Sequence, residues 1–277
     1  TYLTVSSLFW YTGLLPDLAA VRDRSTGMRH KIFKFLSMGW SGAHEQWRHY
    51  TRGYLFFAAL ATPLVISVHS VVSWDFALGI VPRWHPTICA PYFVAGAIHS
   101  GLAMVLTLMI PLRKLFRYEQ IITIEVLENV AKTIVFTGLI VGFAYGTEYF
   151  IAWYSHNAIE IEQFRWRAFG DYRWGFFFMV LCNTLIPLLF LVKKIRTTIA
   201  LLFIISLIVN FGMWWERFVI IVGGVARGYS PHAWGLYTPT LVEFGIMLGA
   251  FCMFFFLFVL FAKHLPSVSM TEMKETL

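Results

Sequence analysis

Apolar residues along this chain gather into seven long runs, at 1–19, 52–74, 87–111, 121–151, 174–192, 198–222 and 239–262, each separated by a short polar stretch. A helix needs about 20 residues to cross the hydrocarbon core of a bilayer. The pattern therefore predicts an all-α, polytopic membrane helical bundle with about seven transmembrane helices. The first run is read as the lower part of a longer helix, and the fourth is long enough to tilt. Residues 1–277 are expected to form one integral membrane domain. The polar stretch 20–51 is a loop whose segment HKIFKFLSMGW sets Ile32, Phe33, Phe35, Leu36 and Trp40 among basic residues, which suits a short helix in the headgroup layer. Residues 263–277 form a tail. The chain opens on TYLTVSSLFWYTG, apolar and without a basic leader, and is read as the interior of a longer protein.

The loops set the orientation. Arg22, Arg24, Arg29, Lys31, Lys34, Arg48 and Arg52 lie before the second run, and Arg113, Lys114, Arg117, Lys193, Lys194, Arg196, Lys263 and Lys274 follow on the same side. The opposite side carries only Arg83, Arg165, Arg167, Arg173 and Arg227. Basic residues mark cytoplasmic loops, so the tail is expected inside and the turn from Asp75 to His85 outside, in a bacterial inner membrane. Composition agrees: 58% hydrophobic and 13% charged residues, against about 25% charged in an ordinary soluble domain. The net charge of +7 thus reflects topology rather than a nucleic-acid partner, and membrane lipids are the expected surroundings. Cys89, Cys182 and Cys252 are far apart, with no C-x-x-C pair, so neither a disulfide framework nor an iron–sulfur cluster is encoded.

Ionisable groups near hydrocarbon are costly, and a cluster of them is a functional-site hypothesis. The richest cluster is His69, Asp75, Arg83, Trp84 and His85 around the turn between the second and third runs, with Trp74 beside it and His99 deeper in the third. At 1.5 Å per residue His69 lies about 7 Å and His99 about 18 Å from the same face. That offset argues against a haem held by both. In HEQWRH, His44 and His49 are five apart, about 140° around a helix, which is wrong for the i, i+4 zinc motif. No metal site is expected. Glu125, Glu128 and Lys132 fall on one helix face, below Thr133, Thr137, Tyr145, Glu148 and Tyr149. Such a stripe suits a proton relay or, equally, an ion pair with packing hydroxyls. Asp17 lies at the inner end of the first run. His99 belongs either to an inner path or to a helix–helix hydrogen bond. Arg217, near Glu216 and Glu243, is expected to pair with a carboxylate.

A hydroquinone needs an apolar aromatic slot, partners for its hydroxyls and acceptors for two protons. His69 and Asp75 are the expected catalytic acceptors. Trp74, Arg83, Trp84 and His85 complete the expected quinol site, Tyr92 and Phe93 supply further wall, and Asp17, His99, Glu125, Glu128, Lys132 and Glu148 form the expected proton path. No motif here takes electrons, so a redox role needs a partner subunit. A transporter would want broken mid-membrane helices and an internal repeat; only the Pro187 break fits.

Three segments, FWYTGLLPDLAAVRDR (9–24), LSMGWSGAHEQWRHY (36–50) and, most of all, 63–101, resemble the NrfD/PsrC-type quinone-interacting membrane subunits. Within that family the chain looks most like the large membrane subunits of bacterial alternative complex III. The resemblance runs through the whole chain. It implies two four-helix bundles in the full protein, no haem or iron–sulfur cluster on this chain, and menaquinol or ubiquinol oxidised near the periplasmic face. It further implies a periplasmic iron–sulfur subunit as electron acceptor, with c-type cytochrome subunits, a homologous membrane subunit and a terminal oxidase as further partners. Under the resemblance His69 and Asp75 match the quinol-site positions, while Asp17 and the Glu125–Lys132 stripe match the proton path. Two alternatives stay open: a homologous scaffold or proton-conducting subunit, and the quinone-reducing subunit of a polysulfide-reductase-like enzyme.

Overall fold

The computed structural model describes residues 1–81, 84, 88–266, 268 and 269. Its described elements are helical: α1 (Tyr2–Asp23), α2 (Gly27–Leu36), α3 (His44–Ala77), α4 (Cys89–Leu115), α5 (Ile124–Tyr154), α6 (Ala158–Phe169), α7 (Arg173–Val180), α8 (Lys193–Arg196), α9 (Ile199–Val225) and α10 (Leu241–His264). Between α7 and α8 the helix continues as a π turn, Leu181–Leu185, and a 3₁₀ segment, Ile186–Leu191. Pro187 accounts for that change of pitch, since it has no N–H to give to the preceding turn.

Six of the seven expected segments form helices long and apolar enough to cross a membrane: α3, α4, α5, the combined Arg173–Leu191 helix, α9 and α10. The first run is helical but less apolar than the others. It folds as the 22-residue α1 but is not among these six. Thr4, Ser6, Ser7, Thr12 and Gly13 dilute its apolar character, and Asp17, Arg22 and Asp23 occupy its last turns. The first loop contains a helix, α2, followed by left-handed residues at Met38, Gly39 and Gly42 before α3 begins.

The chain divides into two compact units, residues 1–68 with 238–277, and residues 69–237. In the first, Phe9 of α1 stacks on Tyr54 of α3 at 4.7 Å, Trp10 meets Phe261 of α10, and Tyr11 donates to the Leu36 carbonyl at 2.6 Å. Arg22 ties the α2–α3 turn by donating to the Trp40 carbonyl at 2.8 Å. A capping box between Thr240 and Glu243 starts α10.

In the second unit α4, α5, the α7–π–3₁₀ helix and α9 form an antiparallel four-helix bundle, α4 lying beside α5 and α9, and the broken helix closing the opposite corner. Thr123 caps α5 and Asn157 caps α6. One core layer, around Leu106, Leu127, Ile134, Phe190, Leu202 and Val209, lies towards the end that carries Arg113, Lys114 and Arg196. A second layer, around Tyr92, Phe93, Val141, Met179 and Val219, lies towards the other end, hereafter the α4 N-terminal end. Gly212 lets α9 approach the π turn: a Cβ there would collide with Asn183 Oδ1 and Cys182 Cβ. The broken helix and α9 can meet this closely only through a residue without a side chain.

Candidate functional site

The site sits at the α4 N-terminal end of the second unit. Phe76, one residue before the end of α3, packs edge-on against Trp84 at 5.2 Å and lies 5.8 Å from Phe93 of α4. The Trp84 indole crosses to α9 and donates to the Ile220 carbonyl at 3.1 Å. Gly224 makes room for it, since a Cβ there would lie 2.5 Å from Trp84 Nε1. These rings, with Cys89, Tyr92, Glu148, Arg167 and Ile220, line a half-open cavity of about 20 Å³. That is space for about one water.

Two charged groups line the cavity. Glu148 near the end of α5 and Arg167 near the end of α6 are 7% and 4% exposed and form an ion pair of 2.9 Å. The guanidinium also stands 5.0 Å from the centre of the Phe176 ring. Burial disfavours its charge, but Glu148, then Tyr149 and Tyr92, more than offset that and hold its pKa above the ordinary arginine value. Among the described residues its Nε and Nη2 atoms are buried without hydrogen-bond partners.

A second buried polar group lies deeper. Tyr145 of α5 donates to Glu216 Oε2 of α9 at 2.5 Å, and Asn183 of the π turn donates to the same oxygen at 3.1 Å and to Tyr145 Oη at 3.0 Å. Arg217 lies 3.6 Å from Glu216 Oε1 and over the Phe93 ring at 4.9 Å. This is the carboxylate pairing expected of Arg217; Glu243 instead serves the cap of α10. Below, His99 Nδ1 and Thr137 Oγ1 are 2.9 Å apart in the fully buried interior, which makes the helix–helix hydrogen bond foreseen for His99.

The other sequence-derived candidates are distributed as follows. His69, half-buried, shares a face of α3 with buried Ser73 and half-buried Phe76, at spacing i, i+4, i+7. Asp75 and Trp74 are exposed. Six residues separate His69 from Asp75, about 9 Å along the helix and 120° around it, so the two do not point at one spot. Arg83 and His85 lie outside the described residues. Glu128 pairs with Arg196 at 2.7 Å and Lys132 at 3.3 Å, while Glu125 is exposed. Asp17 is buried in the first unit, 1% exposed. Among the described residues no three His, Cys, Asp or Glu side chains gather as a metal site.

Arg167 was legible in sequence only as a loop charge. The hint was its 12-residue segment AIEIEQFRWRAF, with Phe164, Trp166 and Ala168 interleaved among charges and an Asn cap in front. Asn183 had a weaker signal, a lone amide four residues before Pro187 in an apolar run.

The family model described as polysulphide reductase, NrfD, matches residues 2–227, most of the chain and all of the site. The chain belongs to the NrfD family. This NrfD chain is also 27% identical over 270 aligned positions to a Halobacterium salinarum protein named as a dimethyl sulfoxide reductase membrane subunit. The match covers 87% of the chain and 58% of that relative, so the chain spans a little over half the length of the curated relative it matches. The matched family segment takes in α1 through α9 and stops before α10.

Proposed function

We propose that this NrfD chain is the membrane subunit through which a respiratory complex of the alternative complex III type takes electrons from menaquinol or ubiquinol. In this reading the α4 N-terminal end faces the periplasm, and the electrons pass to an iron–sulfur cluster on a partner subunit and onward to c-type cytochromes. The observation that carries it is the cavity lined by Phe76, Trp84 and Phe93 together with the buried Glu148 carboxylate and Arg167 guanidinium. Family membership and a relative named as a membrane subunit of a reductase support the coarser part of this reading, a membrane subunit of a quinone-linked redox complex.

Quinol supplies two electrons and releases two protons as it is oxidised. His69, on the face of α3 that carries Ser73 and Phe76, accepts the first proton at an imidazole nitrogen. Asp75, exposed on another face of the same helix end, receives it by relay and delivers it to water, and the second proton leaves by the same two groups once His69 is neutral again. Trp84 and Phe76 hold the ring and exclude water from its apolar side. Glu148, Tyr145, Glu216 and His99, with Glu128 and Lys132 at the opposite end, provide groups for a proton route through the bundle.

A second reading rests on the size of the cavity: about 20 Å³ takes a single oxygen atom and not a ring. It makes the chain the scaffold or proton-conducting homologue in the same complex, with the quinol site on its sister subunit. Photolabelling with an azidoquinone in native membranes separates the two. Label on the last two turns of α3 or the first two turns of α4 supports the quinol site; label confined to the sister subunit removes it.

A further inference from the structure

We infer that α2 is a membrane-surface helix that beds an exposed apolar stripe among anionic phospholipids. The inference stands apart from the quinol reading and needs only that α3 spans the bilayer. Met28, Ile32 and Phe35 follow one another at i, i+4 and i+7, so they form a single stripe along α2. They are 73%, 51% and 82% exposed. Phe33, the residue that α2 buries, lies about 130° from the middle of that stripe. The helix is fastened in this orientation within the first unit. Tyr11 of α1 donates to the Leu36 carbonyl at 2.6 Å, His30 Nδ1 lies 3.1 Å from the Arg22 carbonyl, and Arg22 reaches Ser37 Oγ at 3.2 Å. Rolling α2 to hide the stripe would break all three contacts. Through the turn at 37–43 the helix leads directly into α3, which places it at one end of a spanning helix.

Charge beside the stripe selects the occupant. From Arg24 to His44 the chain holds no acidic residue. Arg24, Arg29, Lys31 and Lys34 are exposed, and none of them joins an ion pair among the described residues. Lys31 and Lys34 stand about 70° and 130° from the middle of the stripe, on the flank opposite Phe33, and Arg29 stands about 90° away on the other flank. An apolar stripe bordered by uncompensated cations is the pattern of a helix lying in the headgroup layer. The lysine stems run along the apolar boundary while their ammonium groups reach lipid phosphates. A protein partner matches this surface less well, because lysine is depleted at protein interfaces. Water alone leaves the stripe uncovered.

The test uses the full-length protein in its native complex, with the exposed native thiol removed by Cys252→Ser and a bimane label attached through Phe35→Cys. The complex is reconstituted in phosphatidylcholine vesicles containing rising fractions of brominated phosphatidylglycerol or brominated phosphatidylcholine, and quenching of the label is read. One cation at an anionic surface strengthens binding about fivefold. Half-maximal quenching is therefore expected at a mole fraction of brominated phosphatidylglycerol at least about fivefold below that of brominated phosphatidylcholine. In the triple variant Arg29→Gln/Lys31→Gln/Lys34→Gln quenching persists and the two mole fractions converge. Equal mole fractions without the triple change overturn the anionic preference, and a preference that survives the triple change overturns its assignment to these cations. No quenching by either lipid overturns the inference outright: quenching by iodide then puts the stripe in water, and protection from iodide puts a partner subunit on it.

Discussion

Cutting the Glu148–Arg167 pair on one side and then on both sides tests how the bundle tolerates charge. In Arg167→Leu the Glu148 carboxylate, only 7% exposed, loses its cation while Phe164, Tyr149 and Phe176 keep water away from the vacated position. Removing one member of a buried pair costs about 3–5 kcal/mol, because the remaining charge is left uncompensated. That is a fall of roughly two to three and a half orders of magnitude in the folded-to-unfolded ratio, at 1.4 kcal/mol per factor of ten. The double variant Glu148→Leu/Arg167→Leu leaves no orphaned charge and is expected to recover most of the loss, since apolar replacement of a whole pair is often neutral. Reversible unfolding in mixed micelles with a rising fraction of dodecyl sulfate measures all four species of the cycle. A single variant within about 1 kcal/mol of wild type would mean the pair is solvated, and the burial argument would fall. A double variant no more stable than either single one would show that the residues act through packing alone.

Three further outcomes follow from the same structure. Gly224→Ala places a Cβ 2.5 Å from Trp84 Nε1, so the indole must leave its bond to Ile220; overpacking of this kind costs about 1–3 kcal/mol in the same unfolding assay, and no loss would mean that Trp84 is not seated against α9. Tyr145→Phe removes the 2.5 Å donor to Glu216 and leaves a buried carboxylate oxygen with Asn183 alone, for an expected loss of about 1–3 kcal/mol; an unchanged midpoint would refute the Tyr145–Glu216–Asn183 cluster. Glu45→Ala at the start of α3 breaks an ion pair whose side chains are 63% and 49% exposed, and the change should stay under about 1 kcal/mol; a larger loss would show that this loop is covered in the folded protein.

The helices were legible because apolar run length is a property of sequence alone, and six runs became helices with the length and composition of spans. α1 forms a 22-residue helix but is less apolar than the other six. Its hydroxyl and glycine positions leave a helix intact but lower its apolarity, and run length does not weigh that. The cluster around His69 and Asp75 stood out because charge in an apolar setting is visible without coordinates. What a linear reading could not supply was the rotation of each residue around its helix, which sets His69 and Asp75 about 120° apart. Nor could it supply pairings between distant segments. Glu148 and Arg167 lie on different helices, and Tyr145, Asn183 and Glu216 come from three. The π turn that carries Asn183 depends on Pro187, and only packing against Gly212 reveals that the amide is turned inward.

The most direct test of the quinol-oxidising reading is quinol-driven reduction of the iron–sulfur partner in the assembled complex, compared among wild type, His69→Ala and Asp75→Asn at equal assembly. The account predicts that His69→Ala abolishes it and that Asp75→Asn slows proton release enough to do nearly the same. Wild-type rates in both variants, with the complex intact, would contradict it and transfer the quinol site to the sister subunit.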